Sequence, residues 1–138
     1  MCLPTTDRSY NGQNTTVVGW GKLSEGGQPA DVLMDVIVPI IPQKKCRKET
    51  RYRASDITNN MICAGYDNGV LDACQGDSGG PMVWRAETDN FYTQMGIVSW
   101  GQGCARQGYP GVYTRLGRYR KWIIDTVTDN GSCFCTSD

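Results

Sequence analysis

The chain has 138 residues, fourteen basic and fourteen acidic side chains, no formal net charge and no histidine. That length suits a single domain, and the balanced charge leaves no global field to gather nucleic acid or an anionic membrane. No window approaches the ~18 uninterrupted apolar residues of a membrane span, and without histidine no His-based zinc site, Ser-His-Asp triad or Cys-His dyad can be completed from these residues.

Short apolar or alternating runs broken by Gly, Pro, Asn and Asp predict short strands over residues 15–20, 32–41, 61–64, 81–85, 92–100 and 111–116. Pro39 and Pro42 place the later part of the second run at a sheet edge or a bend. Residues 42–50 form a weaker helical pattern. They lead the cationic run Lys44, Lys45, Arg47, Lys48, Arg51 and Arg53, which reads as a solvated face or as a dock for an acidic partner or glycosaminoglycan. Asp89-Asn90 predicts the turn between the fourth and fifth strands. Tyr119, Trp122, Ile123, Thr126 and Val127 recur at helical spacing and predict an amphipathic helix over 118–129, with Gly131 as its stop. Residues 131–138 read as a tail.

Seven cysteines in this length are ordinary for an exported protein and dense for a cytosolic one. None forms C-x-x-C, so disulfides account for them better than a thiolate metal site does, and the odd count leaves one thiol for a partner elsewhere. Cys133 and Cys135 are too close in sequence to meet disulfide geometry easily and are expected to take separate partners. Asn14-Thr15-Thr16 and Asn130-Gly131-Ser132 are glycosylation acceptors that fit export. The first residues carry no basic region followed by an apolar stretch, so the chain is expected to be a piece of a longer secreted precursor.

The chemistry concentrates in Asp72-Ala73-Cys74-Gln75-Gly76-Asp77-Ser78-Gly79-Gly80-Pro81. A serine hydroxyl becomes a useful nucleophile only when a base takes its proton and donors stabilise the oxyanion. Glycines around Ser78 permit a tight turn and close approach of a substrate carbonyl to the main chain. Gly76 to Gly80 also matches G-x-S-x-G, the elbow of α/β-hydrolases, but that elbow needs an apolar strand before it and a helix after it. Here Asp72, Cys74 and Gln75 interrupt any strand, and Pro81-Met82-Val83-Trp84 resumes in strand-like residues, so the elbow reading fails.

Taken together, this segment resembles the nucleophile segment of trypsin-like serine proteases, the chymotrypsin fold family. Gly19-Trp20-Gly21, Met61-Ile62-Cys63-Ala64-Gly65, Gly96-Ile97-Val98-Ser99-Trp100-Gly101, Pro110-Gly111-Val112-Tyr113-Thr114-Arg115 and the closing helix with Trp122-Ile123 follow in family order, over about residues 1–128. The resemblance implies an all-β fold: the second antiparallel Greek-key barrel with a C-terminal helix over residues 1–130, then the tail, with the first barrel absent. It implies Ser78 as nucleophile, the N–H groups of Gly76 and Ser78 as oxyanion donors, and Asp77 as the carboxylate that pairs with the ammonium created by zymogen cleavage. Asp72 would floor the specificity pocket between Gly101 and Gly111, with Ser99, Trp100 and Gly103 also binding substrate. The expected activity is endoproteolysis after Arg or Lys. Trp20 and Trp122 are read as core residues.

The same resemblance implies the disulfides Cys46–Cys63 and Cys74–Cys104, with Cys2 bonded to a missing chain. A further family disulfide near positions 15 and 84 is absent, since Thr15 and Trp84 stand there. Pro110 resembles the variant without the family's sodium site, and no metal or cofactor is implied. Expected partners are protein substrates, the missing N-terminal barrel and serine protease inhibitors; nucleic acid is not among them. The family's His and Asp belong to that first barrel, so this chain alone is expected to be an inactive, extracellular fragment. The competing reading is a non-catalytic protease homologue acting as a binding module or cofactor.

Overall fold

A computed structural model describes residues 1–128 and, for the backbone only, residues 136–137. The expectations for Asn130, Gly131, Cys133 and Cys135 fall outside the described residues. After a short β1 (Leu3–Pro4) come β2 (Asn14–Gly19), β3 (Met34–Ile41), α1 (Gln43–Glu49), β4 (Met61–Ala64), β5 (Pro81–Trp84), β6 (Thr93–Trp100), β7 (Gly111–Arg115), α2 (Leu116–Thr128) and β8 (Thr136–Ser137). A single 3-10 turn, Ala54–Asp56, precedes β4. Strands β2 to β7 close into one antiparallel barrel in the order β2-β3-β4-β7-β6-β5, and β1 pairs in parallel with β8 outside it.

The barrel follows from alternation. In β2, Thr15 and Val17 point inward and are buried, and the Thr15 hydroxyl satisfies itself by donating to the Val38 carbonyl at 2.8 Å. Val17, Val38, Ile40, Ala64, Met82, Met95 and Tyr113 fill the interior. A second cluster of Ile41, Cys46, Tyr52, Ile57, Cys63 and Val112 lies beside α1, where Cys46 and Cys63 are bonded with Cα atoms 6.3 Å apart. Burying each large apolar side chain contributes about 1.5–3 kcal/mol.

Several local expectations shift. Closure removes the edge that Pro39 suggested. Instead β3 changes partner there: residues 34–39 pair with β2, and Ile40 and Ile41 pair with β4. The turn between β5 and β6 centres on Glu87-Thr88, with the Asp89 N–H donating to the Ala86 carbonyl, just ahead of the Asp89-Asn90 pair. Leu116 opens α2 and does not end the preceding strand. The register pairing Thr16 with Val83 puts Thr15 opposite Trp84, so the absent disulfide is replaced by an internal hydroxyl and a ring that packs on Tyr10 at 5.1 Å.

The two tryptophans read as core residues are exposed: Trp20 at 60% and Trp122 at 66%. Helical periodicity identifies faces of α2 but not what covers them. The covered stripe runs through Leu116, Arg120, Ile123, Ile124 and Val127, whereas Tyr119, Trp122 and Thr126 remain exposed. Three of the six residues of the cationic run are committed. Lys45 pairs with Asp67 at 2.8 Å, Arg47 donates to the Ile57 carbonyl and Asn59 Oδ1, and Arg51 lies 6.0 Å from the Tyr109 ring centre. No described helix is long and apolar enough to cross a membrane.

Candidate active site

The loop between β4 and β5 carries Asp72, Gly76, Asp77 and Ser78. It is held at one end by the Cys74–Cys104 disulfide, with Cα atoms 5.2 Å apart. At the other end, the Gly79 N–H donates to the Val98 carbonyl and the Val98 N–H to the Gly80 carbonyl, both at 2.9 Å, stitching the loop to β6. Gly76 and Gly79 adopt φ of +99° and +84°, a left-handed backbone that a side chain would strain. Tight turning uses the Asp77 and Gly80 N–H groups, which donate to the carbonyls of Cys74 and Asp77. The N–H groups of Gly76 and Ser78 take no backbone acceptor among the described residues and stay available to a ligand oxygen. Ser78 itself is exposed.

A cavity of about 200 Å³ opens beside the serine. Ser78 and all six residues assigned to substrate binding, Asp72, Ser99, Trp100, Gly101, Gly103 and Gly111, line it. Gly76 and Asp77 do not. Ser99 and Trp100 end β6, at an irregularity in its pairing with β7, and Gly101 follows just past the strand. The slot exists because Gly111 has no side chain. A Cβ there would lie 2.7 Å from Asp72 Oδ1 and 3.0 Å from the Tyr113 ring, whereas a Cβ on Gly101 would meet nothing closer than 3.7 Å.

Asp72 accepts from the Ala73 N–H at 2.8 Å and the Ala105 N–H at 3.1 Å. Burial nevertheless pushes its carboxyl up to about 6, against those two bonds and with a smaller push from Asp77. Among the described residues no cation pairs with it. A poorly solvated carboxylate at the end of a narrow slot favours a cationic ligand group, which would return it to the ionised state.

Asp77 points away from this cavity. Its Oδ1 accepts from the Gly21 N–H at 2.8 Å and its Oδ2 from the Cys74 N–H at 2.9 Å. The Gly19-Trp20-Gly21 segment is therefore a seat for a carboxylate: a Cβ on Gly19 would overlap Asp77, and one on Gly21 would sit 2.5 Å from its Cγ. Asp77 borders a separate cavity of about 160 Å³, lined also by Val17, Met34, Asp35 and Leu71.

Three residues that shape the slot carried no assignment. Tyr52 donates to the Pro110 carbonyl at 2.8 Å, accepts from the Gln102 N–H at 3.2 Å and packs edge-on against Trp100 and Tyr109. Ala105 holds φ of +51°, unusual for a residue with a side chain, and presents its N–H to Asp72. Tyr113 buries a hydroxyl with no hydrogen-bond partner among the described residues, and burial together with the nearby Asp72 and Asp77 charges raises its pKa. Nothing local in the sequence marks these three, since each role depends on a partner distant along the chain. Arg106 and Glu25 add an exposed pair that joins the loop at 23–29 to the slot wall, with the Cys104 N–H also donating to Glu25.

Cys2 is buried and disulfide-bonded, and it belongs to neither of the two disulfides formed by Cys46, Cys63, Cys74 and Cys104.

A closed six-stranded antiparallel barrel with a terminal helix, presenting a Gly-flanked serine at the mouth of an acidic slot, is the second barrel of the chymotrypsin fold. The chain belongs to the trypsin family, whose family model, described as Trypsin, matches residues 1–123. It is 48% identical to Trypsin-1 of Astacus astacus over 123 residues, covering 89% of this chain and 50% of that protein. It is 44% identical to serine proteinase stubble of Drosophila melanogaster over 129 residues, 92% of this chain and 16% of that protein. It is 42% identical to the hepatocyte growth factor activator serine protease of Mus musculus over 129 residues, 92% of this chain and 19% of that protein. The chain thus spans half or less of the length of these relatives.

Proposed function

We propose that this chain is the substrate-reading half of a secreted serine endopeptidase that cleaves after Arg or Lys. It would supply the nucleophile Ser78, the oxyanion donors Gly76 and Ser78, and the acidic slot ending at Asp72. The observation that carries this reading is the shared cavity: one space is bordered by the Ser78 hydroxyl and by an unpaired carboxylate.

In the reaction, a substrate Arg or Lys side chain enters the slot and pairs with Asp72, which sets the following carbonyl against Ser78. The Ser78 oxygen bonds to that carbonyl carbon while its proton passes to a general base. The carbonyl oxygen becomes an oxyanion held by the Gly76 and Ser78 N–H groups. Collapse expels the amine, which takes the proton back from the base, and water then hydrolyses the acyl ester by the same route. Each oxyanion donor is worth roughly 3–4 kcal/mol in the transition state. With no histidine in the sequence, the base comes from polypeptide outside this chain. The exposed Trp20 and the exposed Tyr119 and Trp122 of α2 are apolar surfaces suited to such a neighbour.

Two preparations test this: the 138-residue chain alone, and the same chain joined to the polypeptide encoded upstream of it. The first should not turn over an arginine-containing peptide. The second should cleave it with saturation kinetics that Ser78→Ala abolishes. Saturable, Ser78-dependent turnover by the chain alone would overturn the division of labour. If the joined form binds arginine-containing peptide but never cleaves it, the histidine-free sequence reports a non-catalytic binding homologue.

A further inference from the structure

A second, larger cavity of about 320 Å³ lies between the N-terminal segment 4–11 and strands β3 and β4. It shares no lining residue with the Ser78 cavity. Its volume falls within the range of small-molecule sites. The floor is apolar: Ile40, Met95 and Tyr10 are buried there, and Met61 is half-buried against the space.

The rim has a different character. Asp7, the rim's one carboxylate, is shared by two guanidinium groups, Arg115 Nε at 2.7 Å and Arg118 Nε at 2.6 Å. Arg8 and Lys44 also line the rim and are exposed, and neither pairs with an acid among the described residues. Arg8 is positioned, its guanidinium lying 4.5 Å from the centre of the Tyr10 ring. The chain as a whole is neutral, yet this mouth carries Arg8 and Lys44 in excess of the Arg115–Asp7 pair. An apolar floor beneath a net positive mouth matches a ligand with an apolar body and a negative head.

We propose that this cavity binds a small amphiphilic anion of the alkyl carboxylate class, its chain on Ile40, Met61 and Met95 and its carboxylate at Arg8 and Lys44. The site is independent of the Ser78 cavity, so it stands whether or not the proteolytic reading does.

Three probes with one tail and different heads test it: octanoate, octanol and octylammonium, titrated into the 138-residue chain by saturation-transfer NMR or calorimetry. Octanoate should bind at least tenfold more tightly than octylammonium, with octanol between them. The double variant Arg8→Glu/Lys44→Glu alters only exposed side chains and should weaken octanoate about tenfold, as exposed charge pairs allow, while leaving octanol unchanged. Met61→Trp fills the floor and should weaken all three probes, with circular dichroism checking that each variant is folded. An arginine amide in the Ser78 cavity should not compete. Equal binding of the three heads, no binding of octanoate, or octanoate affinity unchanged in both variants would overturn the assignment.

Discussion

Asp72→Asn isolates the tension built into the slot. Burial holds the Asp72 carboxyl at about 6 against its ordinary 3.8. At roughly 1.4 kcal/mol per pH unit, that difference amounts to about 3 kcal/mol. Because folded Asp72 keeps its proton to higher pH than the unfolded chain does, this contribution to stability is fully present below pH 3.8 and is lost as pH rises through about 6. The amide introduced by the substitution never ionises, so the variant should lack this slope. It would keep one of the two N–H bonds, from Ala73 or Ala105, and leave the other donor facing its own amide group. That loss costs about 1–2 kcal/mol. The variant should therefore be more stable than the parent by about 1–2 kcal/mol at pH 8 and show no advantage at pH 4. Urea unfolding followed by tryptophan fluorescence across this pH range reads both, at concentrations too low for self-association. A guanidinium ligand should reverse the ranking above pH 6, stabilising the parent and not the variant. Parallel pH dependence in the two proteins, or a variant less stable at pH 8, would refute the account of a buried, unpaired carboxylate.

Gly111→Ala places a Cβ 2.7 Å from Asp72 Oδ1; it should cost about 1–3 kcal/mol and abolish guanidinium binding, measured by thermal unfolding and calorimetry. Gly21→Ala should cost a similar ~1–3 kcal/mol by unseating Asp77, and faster amide exchange at Gly21 and Cys74 would report it. Removing the Cys46–Cys63 bond by a double alanine substitution opens a 17-residue separation and should cost about 3 kcal/mol of unfolding free energy, measured by urea unfolding. The uncovered aromatic face of α2 should make the isolated chain self-associate, and Trp122→Glu should shift sedimentation toward monomer.

Local chemistry is what the sequence could state unaided. Short apolar or alternating runs broken by turn residues marked every barrel strand to within two residues, because strand-forming side chains and turn formers act locally. Residues 72–81 pointed to a serine nucleophile through their resemblance to the trypsin-like nucleophile segment, while the glycines around Ser78 by themselves say only that the backbone can turn tightly there. Pairings and coverings belonged to the tertiary structure. Periodicity found the aromatic residues of α2 but could not say that Trp122 lacks a cover. The charge run 44–53 could not announce Asp67, Ile57 and Asn59 as its partners. Gly19 and Gly21 gave no sign that Asp77 would come to rest against them, and the high pKa of Asp72 arises only when the folded barrel buries it, against the N–H bonds from Ala73 and Ala105. A local pattern fixes which way a side chain faces; what it meets there is decided by strands far apart in the chain that the closed barrel brings together.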